Sequence, residues 1–300
     1  MKRAYGTYVC ALVLFGTNGI VASLISAGSS EIVFLRTFVA SLALVAVLGL
    51  TRRRPGFLDH PRQSLFAVLS GVALGASWLF LYEAYRQIGV GMASLAYYCG
   101  PIIVMALSPL VFREKLTAPK LVDFGTVIAG VLLVNGQALQ EGGAGWGLMC
   151  GALSAVLYAA MVICSKKADG IDGLENATLQ LVAACAVSAV FVAACGGFPL
   201  AIAPGDWLPI LVLGLVNTAL GCSWYFSAMG KLPVQSVAVC GYLEPLSAVV
   251  FSAALLGEAM LPVQVAGAVL MLAGAVFGEC AGMRRGARRA GTPAPSAARP

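Results

Sequence analysis

The sequence predicts an all-α integral membrane protein with ten transmembrane helices in two inverted five-helix repeats. The first observation behind this prediction is composition: 60% of the 300 residues are hydrophobic and 11% are charged, whereas a soluble domain carries about 25% charged residues. The second is that the apolar runs are continuous, which excludes the alternating pattern of a membrane β-barrel. The third is a mid-span proline that recurs, at Pro101 and, 144 residues later, at Pro245.

Ten apolar runs each approach the ~20 residues that a helix needs to cross a bilayer. They cover residues 5–25, 31–50, 64–86, 90–112, 120–138, 146–165, 175–196, 206–229, 233–256 and 262–281. Between them, Ser26–Ser30 and Gly89–Gly91 leave room only for tight turns. The first run follows two basic residues, but its apolar stretch of about 20 residues exceeds the 7–15 of a signal-peptide core, so we expect it to remain as a span.

The positive charges lie on one side of this arrangement. With ten spans both termini share a side, and every Lys and Arg except Arg36 and Arg86 falls at the termini or in the loops of that side. Basic residues collect on the cytoplasmic side of membrane proteins. We therefore expect both termini to be cytoplasmic in a protein of the cell's inner or plasma membrane. The net charge of +6 is interpreted as membrane topology and not as nucleic-acid binding.

A shift of 144 residues divides the chain into two similar halves. It places Pro101 on Pro245 in mid-span, whereas a rival shift of 146 would align two Gly-X-Ser-Trp motifs. Five spans per half is an odd number, so the halves face opposite ways in the membrane. Such inverted repeats hold their substrate site near the midplane between the halves. We predict five-helix repeats over residues 1–140 and 141–282 and a disordered basic cytoplasmic tail over 283–300.

Glu244 and Pro245 stand side by side near the middle of the span 233–256. A carboxylate at this depth is costly unless it has a partner or water, which makes it a candidate functional residue. Pro245 lacks an N–H, so we expect the carbonyl of Gly241 to be left free and both Pro245 and Pro101 to act as hinges or kinks. Glu244 is interpreted either as a group that responds to protons or cations, or as a carboxylate hydrogen-bonded inside the bundle.

Several segments resemble the EamA-type family of the drug/metabolite transporter superfamily. They are Phe34–Arg36 in the second span, Pro101 to Glu114, and the later segments Leu243–Pro245 and Leu256–Glu258. The resemblance covers about residues 5–281 and implies a ten-helix permease. Many members of this family export amino acids and other small metabolites. It also implies a cavity formed mainly by spans one, three, four, six, eight and nine, with spans five and ten available for homodimer formation.

The polar and aromatic residues of those spans are the candidate substrate-binding residues, because a wet cavity supplies partners for buried Tyr and Trp. They are Asn18, Tyr82, Tyr97, Tyr98, Pro101, Tyr158, Trp224, Tyr225, Tyr242, Glu244 and Pro245. Aromatic residues near span ends are alternatively interfacial belt residues, and Asn18 is alternatively a helix–helix hydrogen-bonding group.

Three charged residues lie near the outer ends of the second and third spans. Glu83 and Arg86 are three residues apart and can pair on one helix face. They are candidates for a gate or a coupling pair, or alternatively for an ion pair at the membrane interface. Arg36 lies about 7.5 Å inside the outer end of its span by helix rise, and we expect it to snorkel to the surface.

Enzyme chemistry, a metal site and a cofactor find no support in the motifs. The one histidine, His60, is in a loop, every aspartate lies in a loop or at a span end, and the nine cysteines form no CxxC pair. The sequence therefore predicts a secondary transporter that exports amino acids or similar small amphipathic metabolites by alternating access. Proton coupling through Glu244 is part of this hypothesis. The alternatives are a nucleotide-sugar or other metabolite importer or exchanger, and a channel or scaffold.

Overall fold

The computed structural model describes residues 2–51, 56–97, 99–113, 118–135, 145–198, 202–256 and scattered positions between 262 and 273. Most of this backbone is helical, and the described residues include no β-strand. The helices are α1 Lys2–Phe15, α2 Asn18–Ser23, α3 Ser29–Leu50, α4 Pro61–Tyr97, α5 Cys99–Phe112, α6 Ala118–Asn135, α7 Gly145–Lys167, α8 Gly173–Cys195, α9 Trp207–Leu211, the π segment Val212–Leu220, α10 Gly221–Met229, α11 Val234–Cys240 and α12 Leu243–Leu256.

Six helical stretches among the described residues are long and apolar enough to cross a membrane. They are Lys2–Ser23, Ser29–Leu50, Pro61–Ile88, Gly145–Lys167, Gly173–Cys195 and Pro204–Met229. Cys99–Phe112 is apolar but shorter. These stretches confirm an all-helical, multi-pass membrane protein. The count of ten spans, the inverted arrangement and the cytoplasmic termini stay predictions, and most of the predicted tenth span, together with the tail, lies outside the described residues.

The helix bounds follow the predicted shift of 144 residues. This shift carries Ser29–Leu50 to 173–194, within one residue of α8 at Gly173–Cys195. Contacts between the halves repeat as well, because α4 packs on α7 and α8 while its counterpart, the π segment with α10, packs on α1 and α3. The rival shift of 146 would displace the match between α3 and α8.

Helical backbone continues from Pro61 to Tyr97, but the chain reverses direction within α4, as its neighbours along α7 show. In the order of α7 these contacts are Gly147 with Ile88, Gly151 with Ala96, Ser154 with Ser77, and Tyr158 with Gly100. The residues before the reversal run antiparallel to α7, and those after it return along α7. The membrane-length stretch ends at Ile88, so the reversal agrees with the turn predicted at Gly89–Gly91.

Small residues let α4 lie directly against α8. Gly71 contacts the backbone of Gln180, and Gly75 contacts that of Ala184. Beside them the buried amide of Gln180 accepts from Ser70 Oγ and donates to two other side chains, Ser165 Oγ and Asn176 Oδ1. Close backbone approach with interhelical hydrogen bonds is the usual way in which membrane helices associate. Gly71 and Gly75 therefore serve the packing of two helices of the same chain, α4 and α8.

Candidate functional site

Three helices from the two halves are interrupted in the same region. α1 ends at Phe15 and α2 begins at Asn18, the π segment occupies Val212–Leu220, and α11 is separated from α12 by Gly241 and Tyr242. Irregular backbone at membrane depth is tolerated where it is buried in protein or lines a cavity. π-helical turns occur frequently at functional sites. Broken helices at the interface of two repeats mark the substrate site in many transporters.

Side chains tie these interruptions together. Asn217 Nδ2, in the π segment, donates to Thr17 Oγ1 at 2.7 Å and to the carbonyl of Leu14 at 3.3 Å. Gly16 lies directly against Ser247 and the backbone nitrogen of Ala248, so that a Cβ atom at position 16 would overlap both. Only glycine fits this junction without displacing α12. The first span, the π segment and α12 thus meet at the break between α1 and α2.

A small cavity lies beside this junction. About 40 Å³ of it is open to the centres of water molecules, enough for about three waters or a small polar group at ~10–15 Å³ each. Five of the predicted site residues line it, namely Asn18, Tyr97, Tyr158, Tyr225 and Glu244. Six lining residues were not predicted, namely Phe15, Leu74, Trp78, Met161, Cys222 and Phe226. These residues come from spans one, three, four, six, eight and nine, in agreement with the family resemblance.

Glu244 is the one carboxylate among the described lining residues, and it is half-buried in the first turn of α12. Its backbone N–H donates to the carbonyl of Gly241 at 3.3 Å. The prediction that Pro245 leaves this carbonyl free is therefore wrong. The helix ends at Cys240 and restarts at Leu243, which allows the residue before the proline to provide the missing donor.

Pro245 does not kink a continuous helix. It is the third residue of α12, which restarts after Gly241 and Tyr242. In the first turn of a helix the N–H has no intrahelical acceptor, so proline costs nothing there. The kink expected at Pro245 is therefore corrected to a helix restart. The hinge or kink at Pro101 stays a prediction.

Aromatic rings form one wall of the cavity. The Tyr158 and Tyr225 hydroxyls are 3.4 Å apart, and the Tyr97 ring meets the Tyr158 ring edge-on at 5.3 Å between centroids. Tyr8 stacks against Tyr225 at 5.0 Å, and its hydroxyl donates to the Val237 carbonyl at 3.2 Å. This wall joins α1, α4, α7, α10 and α11. It offers apolar faces together with a few hydroxyl groups.

Arg36 is buried, and the prediction that it snorkels to the surface is wrong. Its side chain is 2% exposed. Nε donates to Thr218 Oγ1 at 3.0 Å, and Nη1 donates to Tyr82 OH at 3.1 Å. The guanidinium carbon lies 4.4 Å from the centre of the Trp78 ring, within the range of a cation–π contact. The guanidinium also interacts electrostatically with Glu244.

Three of the other predicted residues lie outside the cavity lining. Tyr82 binds Arg36 as described, and Tyr242 is buried at 2% exposure without being part of the lining. Trp224 is 38% exposed and is also absent from the lining. Arg86 Nη2 pairs with Glu83 Oε2 at 3.0 Å, with the side chains 67% and 27% exposed, which is the geometry of an interfacial ion pair. Tyr98 lies outside the described residues.

A profile of the EamA-like transporter family matches the chain twice, over residues 3–136 and 145–277. The chain belongs to the EamA-like transporter family. Because the two matches together span almost the whole chain, the protein is a transporter.

Relatives in this family extend along most of the chain. "Uncharacterized transporter YxxF" of Bacillus subtilis (strain 168) is 24% identical over 273 residues, covering 89% of this chain and 86% of the relative. "Probable amino-acid metabolite efflux pump" of Salmonella typhimurium is 30% identical over 73% of this chain and 78% of the relative. "Probable terminal-alkyne amino-acid exporter" of Streptantibioticus cattleyicolor is 27% identical over 81% of each.

A solved crystal structure has the same fold as this EamA-family chain. It superposes with a TM-score of 0.76 at 18% sequence identity, covering 92% of this chain and 98% of that chain. At this identity the likeness concerns the fold.

Proposed function

We propose that this EamA-family transporter exports amino acids or similarly small amphipathic metabolites across the inner membrane by alternating access. The observation that carries the proposal is the cavity, whose single described carboxylate, Glu244, faces an aromatic wall. A small apolar cavity with few polar groups suits a solute that is part apolar and part charged. The relatives from Salmonella and Streptantibioticus, whose printed names specify amino-acid efflux or export, support the same substrate class.

Alternating access is supported by the position of the cavity between the halves. Its lining joins α1, α2 and α4 of the first half to α7, α10 and α12 of the second. When repeats rock against each other, a site at their interface opens first to one side and then to the other. The three helix interruptions lie where such a movement would need to bend the backbone. A channel would instead keep a pore open to both sides.

Glu244 is proposed as the coupling group of this cycle. A carboxylate in a half-buried, aromatic environment loses hydration when charged, so proton uptake or an arriving substrate amine stabilises it. Exchange of a proton for a substrate at this carboxylate would couple export to the proton gradient.

Flux measurements test the proposed function. The purified chain would be reconstituted into proteoliposomes and assayed with a panel of radiolabelled amino acids, amines, carboxylates and nucleotide-sugars, with and without a pH gradient. We expect at least one amino acid to move faster than in empty liposomes, and its flux to depend on the gradient. Flux restricted to nucleotide-sugars would move the protein to the alternative substrate class. The absence of flux for every solute would refute a transport role for this site.

A further inference from the structure

Arg36 uses only part of its guanidinium group in the contacts described above. Two of its three nitrogens donate to Thr218 and Tyr82. The third, Nη2, is buried and has no hydrogen-bond partner among the described residues. Buried polar groups of native proteins are almost always paired, and a buried charged donor needs an acceptor most of all. Nη2 is therefore a donor that awaits an acceptor.

The Arg36 guanidinium lies behind one wall of the cavity. Trp78, whose ring centre lies 4.4 Å from the guanidinium carbon of Arg36, is itself a lining residue. On α4, Tyr82 lies one helical turn beyond Trp78, and Thr218 of the π segment lies about one turn before the lining residue Cys222. Both groups that hold Arg36 are thus one turn away from the cavity wall. The side chain is fixed there by two hydrogen bonds and a ring contact.

Two groups that can accept hydrogen bonds, an amide oxygen and a carboxylate, belong to residues that line the same cavity. The Oδ1 atom of Asn18 is buried and has no hydrogen-bond partner among the described residues. Asn18 and Glu244 both line the cavity. A cationic donor behind the cavity wall, together with a carboxylate and an amide oxygen in the lining, matches the two charged groups of a zwitterion. The aromatic wall matches an apolar side chain between them.

We propose that the Arg36 guanidinium binds the carboxylate of the transported solute while Glu244 and Asn18 face its ammonium group. The substrate class is then an α-amino acid with an apolar side chain, and not an amine or a carboxylic acid alone. This inference rests on the proposed transport function and specifies its substrate. Arg36 is well suited to the role because a guanidinium offers planar, paired donors to a carboxylate and remains charged under all conditions.

Binding of matched ligands to the purified full chain tests the proposal. The probes are L-leucine with 3-methylbutylamine and 4-methylpentanoate, and L-phenylalanine with 2-phenylethylamine and 3-phenylpropanoate. Each analogue keeps the side chain and lacks either the carboxylate or the amine. The ligand concentration that stabilises the protein against heat reports the affinity. We expect at least one amino acid to bind roughly 10- to 100-fold more tightly than both of its analogues.

Variants assign the carboxylate preference to Arg36. In Arg36→Gln the amino acid should bind no more tightly than its amine analogue, while binding of the amine is unchanged. Arg36→Lys should fall in between, because lysine retains the charge and lacks the planar fork. Arg86→Gln is the matched control, since Arg86 is 67% exposed in a surface ion pair, and it should bind all the probes as the wild type does.

Three results would overturn the proposal: neither amino acid binds, the amino acid and its amine bind equally, or Arg36→Gln weakens both equally. The first two are measured on the wild type, so the test survives if Arg36→Gln does not fold. A protein that carries flux of other solutes but does not prefer either amino acid would contradict this inference and leave the transport function standing. A protein without flux of any solute would contradict the transport function itself.

Discussion

Glu244 lines the cavity of this transporter, whereas Arg36 lies behind the lining residue Trp78, and the surroundings of the two residues differ. Arg36 is held by Thr218, Tyr82 and the Trp78 ring. Glu244 instead stands in the first turn of a helix that restarts beside the cavity. A pinned charge suits recognition of a fixed group, whereas a carboxylate at the cavity can exchange one cation for another. This difference in environment is the basis for proposing a binding role for Arg36 and a coupling role for Glu244.

Glu244→Gln should abolish the dependence of flux on the pH gradient while leaving exchange of substrate across the membrane. Glutamine keeps the shape of the side chain but can neither take up nor release a proton. The measurement is counterflow and gradient-driven flux in proteoliposomes, with Glu83→Gln, a carboxylate of the surface ion pair, as the control. Gradient dependence that survives in Glu244→Gln would show that another group carries the proton. A wild type that ignores the gradient would indicate facilitated diffusion.

At the scale of elements, the interruptions are stabilised by partners in other helices. The π segment places Asn217 beside Leu14 and Thr17 at the break between α1 and α2. Thr218 follows it on the same segment and holds Arg36. Consecutive side chains of a helix point in different directions, so Asn217 and Thr218 contact two different neighbours. The π segment is therefore expected to govern both the break and the position of the buried cation.

Asn217→Leu should reduce flux on the order of tenfold. Without the two hydrogen bonds of Asn217, the segment between α1 and α2 is no longer held in place and the lining residue Asn18 is displaced. The effect on stability should be small, about 1 kcal/mol, as hydrogen bonds between membrane helices are worth little individually. Flux and thermal unfolding would be compared with Thr37→Val, which removes the buried bond to Ser188 Oγ between α3 and α8. Equal flux losses in the two variants would argue that only stability matters.

Gly71→Ala should destabilise the contact between α4 and α8. The added methyl would overlap the Gln180 backbone and lie within 2.8 Å of Ala183 Cβ, and overpacking of this kind costs about 1–3 kcal/mol. Gly49→Ala is the matched control, because a Cβ atom there meets nothing within 4 Å, and it should be neutral or slightly stabilising. The measurement is thermal unfolding in detergent. Equal stability of the two variants would contradict the described α4–α8 contact.

At the scale of the whole molecule, the two halves build one site together. Helix bounds that repeat after 144 residues and contacts that repeat with the halves exchanged are the expected result of an internal duplication. The orientation of the halves in the membrane rests on the distribution of Lys and Arg. This distribution also predicts which loops face the cytoplasm.

Topology can be measured by labelling single cysteines with an impermeant thiol reagent after the nine native cysteines are replaced. We expect Gly205→Cys to react in intact cells and His60→Cys to react only after permeabilisation. Both positions are exposed, so access depends on the side of the membrane. The opposite pattern would reverse the orientation of the chain, and labelling of both positions from outside would contradict the span count.

The sequence by itself determined the all-helical membrane class and the membrane-length helices that the structure describes, because these depend on local composition and hydrophobic run length. It also predicted Glu244, Tyr97, Tyr158 and Tyr225 as cavity residues, and these four line the cavity. Tertiary structure decided the rest. Whether Arg36 reaches the surface or an internal partner depends on residues 46 and 182 positions away, which no local pattern encodes. The same holds for Trp78, an ordinary apolar residue along the chain that becomes a cavity wall only when α3 and α10 close around it. A side chain's partners are set by packing between distant segments, and packing is the part of the fold that hydropathy does not specify.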